Sequence, residues 1–189
     1  HILEAVNYLR IAELPYNYYE FGCHSARTFS AAANAFKYLK IKQFELYAFD
    51  SFEGLPNTIK EEDGYFEGGT FSTSISEFLY LVKKQTGLIL KPENCIKGYY
   101  ENTLTRKLQS KMPRVGIVHI DVDLYSSTVE VLEFIKPLMV RGTVLLFDDW
   151  YCFNPGESKG EKRAFEEFCL KYPNFKTEVW KNYSKQIGN

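Results

Sequence analysis

The sequence predicts a single α/β domain built on a mostly parallel sheet. Apolar runs of strand length alternate with segments of helical period, and each strand candidate ends in a polar or glycine-containing turn. The chain has 189 residues, and one domain usually contains roughly 100 to 200 residues. Because 45% of the residues are apolar, the chain can also build a core of its own. We therefore expect residues 1–189 to form one domain.

Local patterns predict the elements in chain order. Five segments have the length and composition of strands, namely residues 16–21, 44–49, 95–97, 115–120 and 143–147, the last entered through a turn at 141–142. After the first strand, Phe29, Ala33 and Phe36 recur at helical spacing. Capping-box patterns, in which a Ser and a Glu three residues later satisfy free backbone N–H groups, predict three more helix starts at residues 74–77, 127–130 and 158–161. The helix that starts at 74–77 should end near Gly87, and residues 176–180 and 185–187 predict an antiparallel strand pair.

Residues 51–71 are predicted to form a long loop, because glycine, proline and mixed charges replace any hydrophobic period. A loop of this length in a compact domain usually has a function in binding or catalysis. We expect a lid or substrate loop, in which Phe52, Tyr65 and Phe66 could stack on a ligand or close the core.

Charge and composition exclude several classes of protein. Lys and Arg number 23 against 24 Asp and Glu, so the chain lacks the basic face that nucleic-acid binding needs. The longest apolar runs are far shorter than the ~20 residues that span a bilayer, and no signal peptide opens the chain. The four cysteines match neither a zinc site nor a disulfide framework. We expect a cytoplasmic protein with no nucleic-acid partner and no membrane span.

Acidic residues lie at the ends of four predicted strands. Glu20 lies at the end of the first strand, and Asp50, Asp121 and the pair Asp148 and Asp149 follow the second, fourth and fifth. Because open α/β sheets bind ligands outside the carboxyl ends of their strands, these carboxylates predict a ligand site. A helix cap is the alternative interpretation of any single one of them.

The first turn favours a ligand without phosphate. It contains Gly22 but lacks the G-x-G-x-x-G pattern that lets a pyrophosphate approach a helix. Asp50 has the position in which nucleotide cofactors place an acidic residue on the ribose. S-adenosylmethionine suits this arrangement, since its amino-acid end would meet Glu20 and the turn amides while its ribose meets Asp50.

We expect the carboxylates of Asp121, Asp148 and Asp149 to converge on one divalent cation. These residues follow what should be neighbouring strands, and carboxylate oxygens are ligands that Mg²⁺ prefers. Mg²⁺ bound there could hold two neighbouring oxygens of a substrate and lower the pKa of one of its hydroxyls. A surface cap with a salt bridge is the alternative interpretation.

Four motifs together resemble the macrocin O-methyltransferase family. They are Phe49-Asp-Ser-Phe-Glu-Gly-Leu-Pro56, Gly98-Tyr-Tyr-Glu-Asn-Thr-Leu104, His119-Ile-Asp-Val-Asp-Leu-Tyr-Ser-Ser-Thr128 and Leu145-Leu-Phe-Asp-Asp-Trp150. The resemblance implies a doubly wound, seven-stranded, Rossmann-like class I methyltransferase sheet with an antiparallel C-terminal strand. It implies S-adenosylmethionine as donor, Mg²⁺ as metal, and a sugar, natural-product or glycan acceptor in bacterial secondary-metabolite or glycan biosynthesis. Because members of the family often associate, it also makes a homo-oligomer an expectation.

The resemblance also implies roles for individual residues. Asp121, Asp148 and Asp149 fall on the family's metal ligands, which makes Asp121 and Asp148 catalytic through the metal. The base is unassigned, and Tyr125, Asp123 and His24 are the candidates for the proton acceptor. The cofactor-binding residues implied are Glu20, Gly22, Ser25, Thr28, Asp50, Ser51, Gly98, Tyr99, Tyr100 and Asp121.

Two other functions stay open at the level of sequence. An Asp-x-Asp at 121–123 and an acidic pair at 148–149, each after an apolar strand, are also found in phosphohydrolases of the haloacid dehalogenase type. The spacing disfavours this function, because only Lys136 lies between the two acidic motifs and it falls in a helix pattern. The other is a catalytically silent subunit with a cofactor fold that binds a partner.

Overall fold

The computed structural model describes residues 1–56, 68–153 and 157–181 of the chain. The strands within these ranges are β1 (Asn17–Phe21), β2 (Glu45–Asp50), β3 (Cys95–Lys97), β4 (Val115–Ile120) and β5 (Met139–Phe147). The α-helices there are α1 (Ile2–Ile11), α2 (Arg27–Tyr38), α3 (Ile75–Thr86), α4 (Tyr100–Thr103), α5 (Arg106–Gln109), α6 (Tyr125–Ile135) and α7 (Gly160–Lys171). A 3₁₀ turn, Pro92–Asn94, precedes β3.

The five strands are all parallel and lie in the spatial order β3-β2-β1-β4-β5. The chain runs outward from β1 to β3 and then returns to place β4 on the other side of β1, so the strand order reverses between β1 and β4. Open α/β sheets bind ligands at such a switch point, outside the carboxyl ends of the strands. The predicted α/β fold with a parallel sheet is confirmed, and its carboxyl edge collects the ends of β1, β2, β4 and β5.

Helices cover both faces of the sheet. On one face Ile117 of β4 packs in a cluster with Phe29 of α2 and residues of α1 and α3. On the other face Ile120 of β4 packs in a cluster with Phe134 of α6 and residues of α7. All six residues of β4 are buried, which explains why its sequence is almost continuously apolar, as in strands covered on both sides.

The helix α3 and the strands β3 and β4 form where local sequence patterns predict them. The hydroxyl of Ser74 accepts a hydrogen bond from the backbone N–H of Glu77, and Gly87 ends α3 in a left-handed conformation with φ +70°. Glycine carries no Cβ and adopts this conformation at little cost, so it is a common end of a helix. The bounds of β3 and β4 equal the predicted segments 95–97 and 115–120.

The capping-box prediction was wrong at the other two helices. Residues 127–130 lie inside α6, whose N-cap Leu124 offers no side-chain hydrogen bond. The helix α7 starts at Gly160, after an N-cap at Lys159 that also lacks one. In both cases burial of an apolar stripe decides where the helix begins, because tertiary packing outweighs a single cap.

Two further differences lie at α1 and β5. The helix α1 was not predicted, since it buries only Ala5, Val6 and Leu9 and lacks a side-chain cap. The supposed turn at 141–142 lies within β5, where the strand bulges between the pairs Val115 with Met139 and Ile117 with Val144. The extra residues are accommodated inside the strand instead of ending it.

The C-terminal residues were also predicted differently. Residues 176–180 form no strand, and 185–187 lie outside the described residues, so five strands are found in the described ranges and the predicted seven and the antiparallel strand are not shown. The segment instead packs on α1, with the rings of Trp180 and Tyr8 5.4 Å apart and Lys181 in an ion pair with Glu4. No helix in the described ranges combines the length and apolar character that crossing a membrane requires.

Candidate active site

The turn after β1 lies directly against the end of β4. Gly22 has φ +78°, and a Cβ at this position would lie 1.7 Å from the carbonyl oxygen of Asp121. The N–H of Gly22 donates to the carbonyl oxygen of Phe49 on β2 at 3.0 Å. Both the backbone conformation and the close approach therefore require glycine. This turn, residues 22–26, joins the ends of β1, β2 and β4, and we call it the cofactor turn.

Asp50 is held by backbone groups of two loops. Its Oδ2 accepts hydrogen bonds from the N–H groups of Cys23 at 2.6 Å and His24 at 3.2 Å. Its Oδ1 accepts one from the N–H of Phe52 at 2.7 Å. The turn amides that sequence analysis assigned to the amino-acid end of a cofactor therefore bind Asp50. An ionised carboxylate offers about four acceptor sites, so about one is left for a ribose hydroxyl.

Glu20 lies beneath the cofactor turn and not on its surface. The side chain is 1% exposed, the Tyr18 hydroxyl donates a hydrogen bond to it, and the backbone of Phe29 in α2 provides another. Burial raises the pKa of Glu20 well above its ordinary value, the negative charges of Asp121 and Asp50 raise it further, and the bond from Tyr18 opposes them. Burial and the neighbouring charges therefore favour the protonated form of Glu20, which supports the turn from below.

The predicted adenine-flanking residues lie at the end of β3. The N–H of Gly98 donates to the carbonyl oxygen of Asp50 at 2.9 Å. The Tyr100 hydroxyl donates to the carbonyl oxygen of Phe49 at 3.2 Å, which fixes that ring in the packing between β2 and α4. Tyr99 is partly exposed at the same edge. Both tyrosines are partly buried, and Tyr100 is the one whose hydroxyl is bonded to the backbone of β2.

The other predicted cofactor residues lie near Asp50 and the cofactor turn. Ser25 is exposed within the turn, and Thr28 is half-buried in the first part of α2. The Ser51 hydroxyl donates to the carbonyl oxygen of Gly54 at 2.7 Å and so closes its own loop. The structure thus brings the predicted residues to one edge, but several of their polar groups are already used by the protein.

Four aspartates at the ends of β4 and β5, Asp121, Asp123, Asp148 and Asp149, form what we call the acid cluster. Burial and the negative charges of the other three aspartates raise the pKa of Asp121 to about 8, while Arg27 opposes the shift. Burial, followed by the charge of Asp149 and a hydrogen bond with it, raises the pKa of Asp123 to about 7. The pKa of Asp149 is raised as well, by burial and by Asp148. Burial is the first cause of these shifts and the charges of the neighbouring aspartates add to it, while the hydrogen bond of Asp123 with Asp149 joins the two loops of the cluster.

The chemistry of the acid cluster fits a hard divalent cation, although its described geometry does not form a complete metal site. Oδ2 of Asp149 is buried and has no hydrogen-bond partner among the described residues, and such oxygens are the preferred ligands of Mg²⁺. Within residues 1–56, 68–153 and 157–181, no three His, Cys, Asp or Glu side chains are grouped so that they could hold a metal ion. The oxygens of Asp121, Asp148 and Asp149 would have to move together to bind one.

A cavity of about 540 Å³ opens beside the acid cluster, lined by Thr28, His119 and Asp148 together with residues of α1 and α2. His119 is 3% exposed, and its Nδ1 has no partner among the described residues. Its Nε2 lies 3.9 Å from Oδ1 of Asp148. Burial lowers the pKa of His119 to about 4 although Asp148 raises it, so the ring is neutral at pH 7. Sequence analysis missed this residue, whose only signal was a polar side chain inside an apolar strand.

Glu161 is a second residue that sequence analysis did not assign to the site. Its side chain is fully buried, with Oε1 accepting from the N–H of Val122 at 3.5 Å and Oε2 accepting from the N–H of Asp149 at 3.0 Å. It was predicted to cap a helix. The signal against that prediction was its spacing of three and seven residues from Ala164 and Phe168, which places it on the buried stripe of α7.

Two of the candidate proton acceptors contact residues outside the acid cluster. The Tyr125 hydroxyl donates to Oε2 of Glu167 on α7 at 2.5 Å, and the guanidinium of Arg163 lies 4.7 Å from the centre of the Tyr125 ring. The exposed ring of His24 packs edge to face against Phe71, with their centres 5.8 Å apart. Asp123 is the one of the three that belongs to the cluster.

The predicted loop 51–71 is described at its two ends. The N–H of Leu55 donates to the carbonyl oxygen of Thr70 at 3.0 Å, and the carbonyl oxygen of Leu55 accepts from Gly69 at 2.8 Å. Phe52 is buried against Phe78 of α3, so it closes the core. Residues 57–67, which include Tyr65, Phe66 and most of the predicted lid, lie outside the described residues.

Comparison with known proteins gives a family match and several structural neighbours. The sequence model of the macrocin O-methyltransferase family, TylF, matches residues 1–169. The structure of the O-methyltransferase NovP is similar with a TM-score of 0.76 and 19% identity, over 91% of this chain and 70% of that one. The calicheamicin methyltransferase CalS11 is similar with a TM-score of 0.70 and 21% identity, over 87% of this chain and 68% of that one.

A second structure of CalS11, described as an apo TDP-rhamnose 3'-O-methyltransferase, has a TM-score of 0.62 and 21% identity over 87% of this chain and 67% of that one. At these identities the structural neighbours share the fold. A search of curated proteins gives no match.

Proposed function

Because the chain belongs to the macrocin O-methyltransferase family, we propose that it transfers the methyl group of S-adenosylmethionine to a hydroxyl of a sugar or natural-product glycan, with Mg²⁺ bound at the acid cluster. Membership of this family makes the chain an O-methyltransferase and decides against the phosphohydrolase and the silent subunit. The observation that carries the finer proposal is the contact of Gly22 with the Asp121 carbonyl. It places the cofactor turn and the acid cluster side by side.

In the proposed arrangement the cofactor lies along the carboxyl edge between β3 and β1. The remaining acceptor site of Asp50 takes a ribose hydroxyl, and Tyr99 and Gly98 adjoin the adenine. Ser25 and Thr28 offer exposed and half-buried hydroxyls to the amino-acid end. Glu20 acts from below, because its carboxyl is buried and already bonded to Tyr18.

Asp121, Asp148 and Asp149 would hold the Mg²⁺. Bound there, the cation would supply Lewis-acid chemistry that lowers the pKa of the acceptor hydroxyl. Asp123 is the proton acceptor that we propose, on the geometric ground that it lies within the cluster whereas the Tyr125 hydroxyl is bonded to Glu167. The hydroxyl proton passes to the Asp123 carboxylate, the oxygen bonds to the methyl carbon, and the sulfonium leaves as the neutral thioether of S-adenosylhomocysteine.

The rest of the protein contributes positioning. Holding donor and acceptor at near-attack distance can be worth about 7 to 11 kcal/mol of the barrier. The close approach of Gly22 to the Asp121 carbonyl and the hydrogen bond from the Asp121 N–H to the Phe21 carbonyl oxygen at 2.9 Å support such positioning. The 540 Å³ cavity beside Asp148 is large enough for a sugar-sized group.

Cofactor binding and metal dependence test this proposal separately. Calorimetric titration with S-adenosylhomocysteine should show binding by the wild type and at least about tenfold weaker binding by Asp50→Asn, because a charged hydrogen bond to the ribose is lost. Asp149→Asn serves as a matched control and should bind the thioether as the wild type does. A folded wild type that binds no S-adenosylhomocysteine would contradict the cofactor assignment.

Turnover should be tested with nucleotide-linked deoxysugars and glycosides as acceptors. TDP-rhamnose, named for the neighbour CalS11, is a rational first choice. We expect transfer in Mg²⁺, a loss of at least about 100-fold in excess EDTA, and a similar loss in Asp149→Asn. Full activity in EDTA would refute the metal assignment and leave the cofactor assignment standing.

A further inference from the structure

Glu161 lies between the two loops that carry the acid cluster. One loop follows β4 and contains Asp121 and Asp123, and the other follows β5 and contains Asp148 and Asp149. The two oxygens of the fully buried Glu161 carboxyl divide between them, Oε1 accepting from the Val122 N–H at 3.5 Å and Oε2 from the Asp149 N–H at 3.0 Å. One side chain from α7 therefore links both loops by accepting a hydrogen bond from the backbone of each, and we call this link the Glu161 tie.

A role as an ordinary first-turn acid of α7 does not explain this geometry. Such a carboxylate would face solvent or the free amides at the start of its own helix. Both hydrogen bonds described for Glu161 instead go to groups 39 and 12 residues away along the chain. The buried stripe that it shares with Ala164 and Phe168 fixes the side chain in this direction.

The acid cluster needs such a tie, because its members repel one another. Buried like charges interact far more strongly than they do in water, and the link that the aspartates themselves supply between the two loops is the hydrogen bond of Asp123 with Asp149. A link that acts through the backbone resists the repulsion without using the aspartate oxygens. Those oxygens stay free for substrate or metal.

We propose that Glu161 is a positioning residue for methyl transfer, which holds the loops after β4 and β5 at the separation that the acid cluster needs. This inference rests on the proposed function in so far as methyl transfer is the reaction served. The tie itself is a structural claim that can be measured without turnover.

The experiment compares Glu161→Gln and Glu161→Ala with Glu166→Gln, a matched control on the exposed side of the same helix. Gln keeps the size of the side chain and one acceptor oxygen, so at most one of the two bonds survives, whereas Ala removes both. Should Glu161→Ala fail to fold, Glu161→Gln alone carries the test. Four quantities are measured in each: backbone amide exchange at Val122 and Asp149, the affinity for Mn²⁺ alone, the affinity for S-adenosylhomocysteine, and kcat and KM.

We expect Glu161→Gln to exchange its Asp149 or Val122 amide at least about tenfold faster, in proportion to the loss of one hydrogen bond. Mn²⁺ affinity and kcat should each fall at least about tenfold, as for loss of a residue that orients metal ligands. The affinity for S-adenosylhomocysteine should stay within about threefold of the wild type, because a threefold change is smaller than the effect of losing one good hydrogen bond to the ligand. Glu166→Gln should match the wild type in all four.

If the Val122 and Asp149 amides exchange in the Glu161 variants as they do in the wild type, Glu161 does not link the two loops. Faster exchange with unchanged kcat and Mn²⁺ affinity, or a fall in melting temperature as the only other effect, would reduce Glu161 to a structural residue and overturn the positioning role. A wild type that binds neither S-adenosylhomocysteine nor Mn²⁺ would refute the proposed function, and the exchange rates would still decide whether the tie exists.

Discussion

Asp50, which the cofactor turn binds, is the last residue of β2, and Asp121 of the acid cluster directly follows β4, so the two lie at equivalent points of the fold but have opposite surroundings. Asp50 accepts three backbone N–H groups. Asp121 instead faces three other aspartates, and its pKa is raised to about 8, by burial first and then by their charges. An aspartate at the end of a strand can therefore either accept hydrogen bonds from the backbone of nearby loops or remain available to bind a ligand or metal ion. The hydrogen bonds around it decide which.

The contact between the two regions gives the largest expected effect. In Gly22→Ala the new Cβ would meet the Asp121 carbonyl at 1.7 Å, a clash with backbone that no side-chain movement relieves. We expect a loss of more than about 4 kcal/mol in the free energy of unfolding, or failure to fold.

Gly69→Ala is the matched control for Gly22→Ala. Gly69 has nearly the same φ, +79°, but a Cβ there meets nothing within 4 Å. Only the backbone cost of roughly 1 to 2 kcal/mol should appear in urea unfolding. Equal losses in the two variants would show that the cofactor turn and β4 are not in the close contact described here.

Neutralising one aspartate in each region should change stability in opposite directions. Asp50→Asn turns an amide donor toward backbone N–H groups, and we expect a loss of about 2 to 3 kcal/mol. At pH 7 the folded protein keeps Asp121 largely protonated, because its pKa is raised to about 8, and this protonation costs folding free energy. Asp121→Asn removes that cost and should raise the free energy of unfolding by about 0.5 to 2 kcal/mol while removing activity. Urea unfolding at pH 7 with EDTA measures the free energy of unfolding of both variants. A change of the same sign in the two would contradict the difference described between Asp50 and Asp121.

Much of the fold was predictable because its signals are local. Ser74 and Gly87 flank α3 as the sequence indicates, and the apolar segments of β3 and β4 are strands with the predicted bounds. The same capping pattern was misleading at 127–130 and 158–161, where burial of the stripes on α6 and α7 sets the helix starts. A pattern of four residues does not contain that information.

The sequence predicts which residues of the site lie at the ends of strands. It does not predict which groups those residues contact. The positions of Asp121 and Asp149 at one edge follow from strand order, which alternation of strands and helices indicates. That Asp50 accepts the amides of Cys23 and His24 depends on how two loops 26 to 27 residues apart orient their backbones. Glu161 and His119 were missed for the same reason, since each matters through neighbours distant in sequence.

Glu20 offers a smaller effect that depends on pH. Its folded pKa is raised above the unfolded value near 4.5, so the protonated form favours folding. That contribution is complete below about pH 4.5 and is lost as pH rises toward the folded pKa, by at most about 1.4 kcal/mol per pH unit.

Glu20→Gln should remove this loss, because the amide stays neutral and its oxygen can still accept from the Tyr18 hydroxyl. Urea unfolding at pH 5, 6 and 7 should show a flatter dependence in the variant than in the wild type. Subtracting the two curves cancels the groups that do not interact with Glu20, so the difference reports Glu20 together with the charged groups that face it, Asp121 and Cys23 among them. Parallel curves would mean that Glu20 is charged in the folded protein and belongs with Asp50.

The smallest effect is expected for Tyr125→Phe, because Tyr125 lies outside the acid cluster as we define it. The sequence makes its hydroxyl a candidate base, whereas the structure bonds that hydroxyl to Glu167 at 2.5 Å and stacks the ring under Arg163. Tyr125→Phe keeps the ring and removes one exposed hydrogen bond, which is worth about 0.5 to 1 kcal/mol of stability. We expect kcat and KM to change by less than about threefold, as for residues that do not touch the reacting atoms. Glu167→Gln, which disturbs the same bond from the other side, should give the same result. A fall of kcat by about 100-fold in Tyr125→Phe alone would instead place the hydroxyl at the acceptor oxygen, as expected of a general base, and would extend the acid cluster to the start of α6.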